Sequence, residues 1–177
     1  IDWVIDVNLK GPLIGMRAVG QVMVDQGFGH IINVGSLAGL SPTPGNSLYS
    51  AAKGGLRNAS IAAAIEWRQQ GISVTLISPD LVDTALMQKH LDSGGEEVAL
   101  TYTGVTLSVV DLEKAFWKAM REKPLEINLP RWRGWLTKLN HINPSLMLAL
   151  YEPMKKRGMR RLAQIRQSRM TDRKQEK

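Results

Sequence analysis

The sequence predicts an α/β fold in which a parallel sheet has helices on both faces. Segments with apolar residues at helical spacing alternate along the chain with short apolar runs. This alternation is typical of parallel strands joined by helical crossovers. One of these runs, residues 30–34, also lacks the polar–apolar alternation of a half-exposed strand. That pattern indicates a strand buried on both faces, as the centre of a parallel sheet requires.

The first element is a long helix over residues 2–26, where apolar residues recur at helical spacing. Gly11 and Pro12 interrupt this segment. Because proline removes a backbone hydrogen bond and tends to kink a helix, we expect a bend between Asn8 and Pro12.

The remaining elements follow from the same periodicity and from turn residues. They are a strand over 30–34, a loop over 35–47, a helix over 48–70, a strand over 72–77 broken by Pro79, helices over 84–93 and 111–122, and a strand over 125–129 closed by Pro130.

The amino-acid composition limits the kinds of site that the chain can form. With 177 residues, of which 44% are hydrophobic, the chain is long enough for one domain with a core. The absence of cysteine excludes disulfides, thiolate catalysis and cysteine-bound zinc, and the three widely spaced histidines lead us to expect no metal site. No apolar run reaches the ~18 residues of a membrane span, and the acidic start does not resemble a signal peptide. We therefore expect a cytoplasmic protein.

The basic charge of the chain is concentrated at one end. Residues 131–177 carry 13 Lys and Arg against 3 Asp and Glu, whereas residues 1–130 carry 10 against 13. We predict a folded part over 1–130 and a basic, amphipathic helical extension over 131–177. The extension has two interpretations: it covers a pocket or packs on a partner subunit, or it lies on an anionic membrane surface with Trp132 and Trp135 as anchors. No nucleic-acid-binding module is recognisable.

Tyr49 and Lys53 form the most informative local pattern. They are four residues apart in a predicted helix, so their side chains share one face. A neighbouring ammonium favours the phenolate, and we expect the pKa of Tyr49 to fall below its usual ~10, toward values useful for proton transfer. Ser36 could add a hydroxyl that holds a substrate oxygen. The alternative interpretation is a packing tyrosine, a solvated lysine and a loop or cap serine.

Together with their surroundings, these residues resemble the short-chain dehydrogenase/reductase family. Ser36 precedes Tyr49 by the family's usual thirteen residues, in the segment Ile32-Asn33-Val34-Gly35-Ser36-Leu37-Ala38-Gly39. Asn8, in Val7-Asn8-Leu9-Lys10-Gly11, matches the family's helix asparagine, and Ser78-Pro79-Asp80-Leu81-Val82-Asp83-Thr84 resembles its Pro-Gly loop ending in threonine. The resemblance covers roughly residues 1–130 and implies a three-layer, Rossmann-like, doubly wound parallel sheet.

The resemblance also implies roles for the residues. Tyr49 would be the general acid in reduction and the base in oxidation, with Lys53 lowering its pKa and binding the nicotinamide ribose. Ser36 would steady the substrate oxygen, and Asn8 would hold a water that links Lys53 to solvent. The nicotinamide and its carboxamide would be lined by Pro79, Val82 and Thr84.

Two departures from the family pattern matter. Asp80 stands where the family usually has glycine, which adds a negative charge beside the expected nicotinamide and predicts altered cofactor contact. The Gly-rich turn that binds pyrophosphate is also absent, and we expect the N-terminal strands of the dinucleotide fold to be missing from this chain.

The resemblance therefore implies an NAD(P)-dependent oxidoreductase that interconverts a secondary alcohol and a ketone, with NAD and NADP not distinguished. We expect a homodimer or homotetramer through the helices at 2–26 and 48–70. Residues 84–110 would form a substrate lid for a hydrophobic compound, with the apolar residues Leu86, Met87, Leu91, Val98, Leu100, Tyr102 and Val105. If the chain is complete as given, the alternative is a non-catalytic remnant or a membrane-surface interaction protein.

Overall fold

A computed structural model describes residues 1–85, Met87 and residues 106–175. The three strands of this part form one parallel sheet in the order β1-β2-β3: β1 Gly29–Val34, β2 Ile72–Pro79 and β3 Glu126–Leu129. The helices are α1 Asp2–Ile5, which continues through a π-helical turn at Asp6–Lys10 into α2 Gly11–Gln26, then α3 Ser47–Glu66, α4 Val109–Glu122, α5 Arg131–Ile142 and α6 Pro144–Gln175. The predicted α/β class with a parallel sheet is confirmed.

Helices cover the two faces of the sheet in separate layers. On one face, Ile31 and Val74 pack against Met16 of α2 and Ala63 of α3. On the other, a second cluster joins the sheet to α4 through Ile77, Ala115, Ala119 and Ile127. Because α3 and α4 lie on opposite faces while the strands progress in one direction, the two crossovers have opposite handedness. One of the two crossovers is therefore left-handed, whereas connections between parallel strands are nearly always right-handed.

The N-terminal helix contains a π-helical turn at Asp6–Lys10, in the region where a bend was expected, and Pro12 follows two residues later. A single π turn inside a helix is a common cause of bending and is frequent at functional sites. Beyond it α2 runs to Gln26, and Gly27 ends the helix in the left-handed conformation, with φ 76°.

Two predicted boundaries were wrong. β2 extends through Pro79, because proline at the strand end removes only its own N–H and the next residue, Asp80, still donates to the Leu129 carbonyl. The helix predicted over 48–70 ends at Glu66 and gives way to a 3₁₀ turn over Arg68–Gln70.

The prediction that residues 30–34 are buried on both faces was also too strong. Ile31 and Asn33 are buried, but His30 and Ile32 on the opposite face are only half-buried. β1 is an outer strand of the sheet formed by the described residues, so α4 covers this face less completely.

The basic C-terminal region forms α5 and α6 in its described part. α5 packs against β3 at the carboxyl end of the sheet, where Gly134 allows close approach to Asn128. The peptide bond between Leu129 and Pro130, just before α5, is cis. Within the described part of the chain, no helix has both the length and the apolar character needed to cross a bilayer.

Candidate active site

The residues singled out from the sequence gather at the carboxyl edge of the sheet. Ser36 follows the end of β1, and Pro79 is the last residue of β2. α3 begins at the same edge, which places Tyr49 and Lys53 in its first two turns. In open α/β folds this edge is where ligands bind, because parallel strands end together there and helices begin there.

Tyr49 and Lys53 lie side by side on α3, as their spacing predicts. The Lys53 Nζ atom is 5.7 Å from the centre of the Tyr49 ring, and it donates a hydrogen bond of 3.0 Å to the Val34 carbonyl oxygen at the end of β1. An ammonium carries three donors, and this bond accounts for one of them. Both side chains are half-buried, so they combine a fixed position with access from solvent.

Ser36 completes the group at the end of β1. Its Oγ accepts from the Ala38 backbone N–H at 3.1 Å, which caps a short 3₁₀ turn over Leu37–Gly39. Its side chain also lies close enough to Tyr49 to favour the ionised phenol, which places the loop after β1 next to α3. Ser36 is therefore a cap residue that also neighbours the phenol.

Gly39 determines how closely this loop approaches α3. A Cβ atom at Gly39 would lie about 2.7 Å from the carbonyl carbon and oxygen of Lys53. Backbone atoms in a helix cannot yield, so only glycine allows the 3₁₀ turn to rest on α3 at this point. The contact holds Ser36 within reach of Tyr49.

The expected lowering of the Tyr49 pKa is not found. Burial raises the pKa of Tyr49, and the side chain of Ser36 opposes this only in part. Burial also lowers the pKa of Lys53. The physical reason is that the Lys53 ammonium is directed to the Val34 carbonyl, while desolvation disfavours the charged form of each group.

Asn8 lies in the π-helical turn, and its Nδ2 donates to the Val4 carbonyl oxygen at 3.1 Å. This bond satisfies a backbone acceptor at the bend. The turn packs against α3, where a Cβ at Gly55 would come within 3.1 Å of Leu9. Asn8 is thus near the helix that carries Lys53, although its own hydrogen bond is local.

The loop after β2 is held at several points. Pro79 is buried, and Val82 pairs with Leu107 in a short parallel bridge. The Thr84 Oγ1 atom accepts from the Met87 backbone N–H at 3.3 Å, the geometry of a helix N-cap. Of the predicted lid, most residues, including Leu86, Leu91, Val98, Leu100, Tyr102 and Val105, lie outside the described residues, and Met87 is buried.

The negative charge of Asp80, which the sequence led us to expect beside the nicotinamide, is compensated by an ion pair. Its Oδ2 atom forms an ion pair with Nη1 of Arg133 on α5. Its backbone does not require glycine either, because Lys123 is the one non-glycine residue with positive φ in the part of the chain that the structure describes. Aspartate therefore fits this position without backbone strain.

Sequence reasoning missed three residues that shape this edge: Asn33, Gly39 and Arg133. Asn33 donates to the Ser60 hydroxyl of α3 at 2.8 Å and thereby fixes the end of β1 to that helix. A polar residue in a short apolar strand was the available signal for Asn33. Arg133 offered no local signal, because 53 residues separate it from its partner.

Comparison with known proteins identifies the family of this chain. Residues 1–94 match a family model described as short chain dehydrogenase. An uncharacterized oxidoreductase of Staphylococcus aureus is 39% identical over 85 residues, which cover 48% of this chain and 37% of that protein. The matched region thus spans little more than a third of the relative's length.

Two solved structures share the fold. A short-chain dehydrogenase from Streptomyces avermitilis superposes with a TM-score of 0.64 at 22% identity, over 84% of this chain and 58% of that chain. ElxO with NADP bound gives a TM-score of 0.59 at 23% identity, over 69% of this chain and 53% of that chain. At these identities the likeness establishes the Rossmann-type architecture.

Proposed function

The chain belongs to the short-chain dehydrogenase family, and on that premise we propose that the protein is an NAD(P)-dependent oxidoreductase that interconverts a secondary alcohol and a ketone. The observation that carries this proposal is the convergence of Ser36, Tyr49 and Lys53 at the carboxyl edge of the sheet. A phenol, a hydroxyl and an ammonium at one point supply proton exchange, oxygen binding and positive charge, which are the groups that carbonyl reduction requires.

Each residue has a distinct part in this proposal. The nicotinamide cofactor, when bound, supplies or accepts the hydride. Ser36 donates a hydrogen bond to the substrate oxygen, and Tyr49 gives that oxygen a proton in reduction or removes it in oxidation. Lys53 retains donor capacity beyond its bond to Val34 and would bind ribose hydroxyls. Asn8 would hold the water that returns protons to Lys53.

The raised pKa of Tyr49 predicts a different pH dependence for reduction and for oxidation. A neutral phenol is the form that donates a proton, so reduction at neutral pH needs no change in its ionisation. Oxidation needs the phenolate, and its rate would rise with pH.

The loop after β2 would contact the nicotinamide through Pro79, Val82 and Thr84, and the cofactor would be NAD or NADP. The donor set fits such a cofactor, because hydroxyl and ammonium groups line the edge beside the strand ends. ElxO, whose structure contains NADP, supports the proposal as a protein of the same fold. A hydrophobic substrate would suit the apolar residues expected in the lid.

Assembly into a homodimer or homotetramer is part of this proposal. Ile14, Val19 and Val22 on α2 and Ile65 on α3 are exposed. A groove of about 380 Å³ between the two helices is lined by residues that include Leu13, Ala59 and Trp67. These helices are the pair that the sequence assigned to a subunit interface.

The experiment uses the full-length protein that contains this chain. Purified protein is mixed with NADH or NADPH and a panel of hydrophobic ketones, and loss of the reduced nicotinamide absorbance is followed. Ketone-dependent oxidation of one cofactor is expected. If neither cofactor binds and no ketone is reduced, the proposal is wrong and the non-catalytic alternative takes its place.

A second candidate function, contact with an anionic membrane surface, is favoured by α5. Its outward face carries five apolar side chains, each at least half exposed: Trp132, Trp135, Leu136, Leu139 and Ile142. The net charge of residues 131–177 would draw this face to anionic lipid. Sedimentation with phosphatidylserine vesicles tests the role, and a Trp135→Ser, Leu139→Ser variant that sediments like the wild type would exclude it.

A further inference from the structure

Arg133 and Asp80 form an ion pair between two parts of the chain that are 53 residues apart in sequence. Asp80 is the first residue after β2, and Arg133 lies in the first turn of α5. Their side chains are 9% and 14% exposed respectively, the least exposed ion pair among the described residues. A buried pair of this kind is costly to break, because removing one partner leaves the other charge buried and uncompensated.

α5 is fixed independently of the ion pair, so it can act as a support. The backbone N–H groups of Arg133 and Gly134 both donate to the Pro130 carbonyl, at 3.1 and 3.2 Å. The missing side chain of Gly134 lets α5 rest on Asn128 of β3. Lys138 adds an ion pair of 3.0 Å to Glu126 of the same strand. The guanidinium of Arg133 therefore projects from a helix that is tied to the sheet.

The segment that Asp80 begins is held from two sides. Its own N–H donates to the Leu129 carbonyl at 2.8 Å, next to α5. Farther along, Asp83 donates to Leu107 and Leu107 donates to Leu81, both at 2.8 Å. The ion pair adds a side-chain contact between the start of this segment and α5.

We propose that Arg133 is a positioning residue for the cofactor: it holds the loop from Pro79 to Thr84 in place and neutralises the carboxylate that Asp80 brings to this edge. The proposal rests on the function proposed above, in which this loop contacts the nicotinamide. The basic extension would then be part of the cofactor site.

Because Asp80 is charged, the proposal can be tested by comparing the affinities of the protein for the oxidised and the reduced cofactor. The oxidised nicotinamide ring is positively charged and the reduced ring is neutral. A carboxylate deprived of Arg133 would attract the oxidised form and not the reduced one. Loss of Arg133 would therefore change the ratio of the two affinities, whereas a general loosening of the fold would weaken both forms alike.

The test compares full-length wild-type protein with Arg133→Gln and with the double variant Asp80→Asn, Arg133→Gln. Binding of NADPH or NADH is titrated by nicotinamide fluorescence, and the oxidised cofactor is measured by competition. Arg133→Gln is expected to weaken binding of the reduced form about tenfold and of the oxidised form less. The double variant, whose amides can hydrogen-bond without charge, should return to within about threefold of the wild type. Arg131→Gln, an exposed arginine in the same turn, is the control.

Two results would overturn the inference. In one, Arg133→Gln binds both cofactor forms as Arg131→Gln does. In the other, Arg133→Gln weakens both forms equally and the double variant does not recover, which indicates a structural role alone. Failure of the proposed function is a separate outcome, since the wild-type protein would then bind neither form.

Discussion

Glu126 links β3, α3 and α5 around the candidate site. Replacing its carboxylate tests how much these contacts contribute to the free energy of unfolding. Its Oε1 atom pairs with Arg57 Nε of α3 at 2.6 Å, and its Oε2 atom pairs with Lys138 Nζ of α5 at 3.0 Å. The Glu126 side chain is 12% exposed, while those of Arg57 and Lys138 are 22% and 42% exposed. The carboxylate thus joins β3 to the helix that carries Tyr49 and to the basic extension.

The cost of Glu126→Gln follows from these exposures. Breaking a fully buried pair costs about 3–5 kcal/mol, and breaking an exposed pair costs about 0–1 kcal/mol. The Arg57 pair lies between these limits and the Lys138 pair lies near the lower one, so we expect a loss of about 2 kcal/mol in the free energy of unfolding. For a protein of this size that corresponds to a fall in Tm of roughly 4–8 °C.

The pH dependence has a definite sign. Burial would raise the pKa of Glu126, but the hydrogen bonds and charges of Arg57 and Lys138 outweigh burial and hold the pKa below its usual value. A carboxyl whose pKa is lower in the folded state stabilises the fold above its unfolded pKa, about 4.3, and loses this effect as pH falls through the folded value. The difference between the wild type and Glu126→Gln should therefore be full at pH 7 and vanish in acid.

The assay is thermal unfolding followed by circular dichroism at a series of pH values. Glu122→Gln is the matched control, because Glu122 pairs with Lys118 and Arg121 at the surface and is half exposed. Its loss should cost less than about 1 kcal/mol. Equal Tm values for the two variants at pH 7, or a difference that grows in acid, would refute the reasoning.

Three further predictions concern the site and the core. Gly39→Ala should reduce turnover strongly, because its Cβ would push the Ser36 loop off α3; wild-type kinetics would show that the close approach is unimportant. Lys53→Met should shift the ascending limb of the pH–rate profile for alcohol oxidation to higher pH if Lys53 aids ionisation of Tyr49 in the working enzyme, and an unchanged limb would argue against that aid. Ile77→Ala should lower the free energy of unfolding by about 2–5 kcal/mol, since Ile77 is fully buried; a chemical denaturation midpoint equal to the wild type's would contradict the packing described.

The sequence was sufficient to predict features that depend on residues close together in the chain. Periodicity located the strands and helices, because each apolar face must be buried against the sheet. The spacing of Tyr49 and Lys53 predicted their adjacency, since residues four apart on a helix share one face. Ser36 was associated with them through its thirteen-residue spacing from Tyr49, which matches the family pattern.

Properties that depend on tertiary packing could not be predicted. The pKa of Tyr49 rises instead of falling, because burial and the direction of the Lys53 ammonium are decided by how β1 meets α3. Arg133, the ion-pair partner of Asp80, lies 53 residues away, and no local sequence pattern predicts this pairing. The sequence predicted an amphipathic extension over 131–177 but not which face would be exposed. The exposed apolar face of α5, which includes Leu136 and Leu139, depends on which side of that helix meets the sheet.

The central claim is that Tyr49 exchanges the proton in a nicotinamide-dependent reaction. The most direct measurement compares Tyr49→Phe with Tyr151→Phe, a tyrosine on α6, in the full-length protein. Cofactor-linked turnover and cofactor binding are measured for each. We expect Tyr49→Phe to lose turnover by at least about a hundredfold, the usual contribution of a general acid, while both variants bind cofactor like the wild type. Turnover by Tyr49→Phe equal to that of Tyr151→Phe would contradict the account.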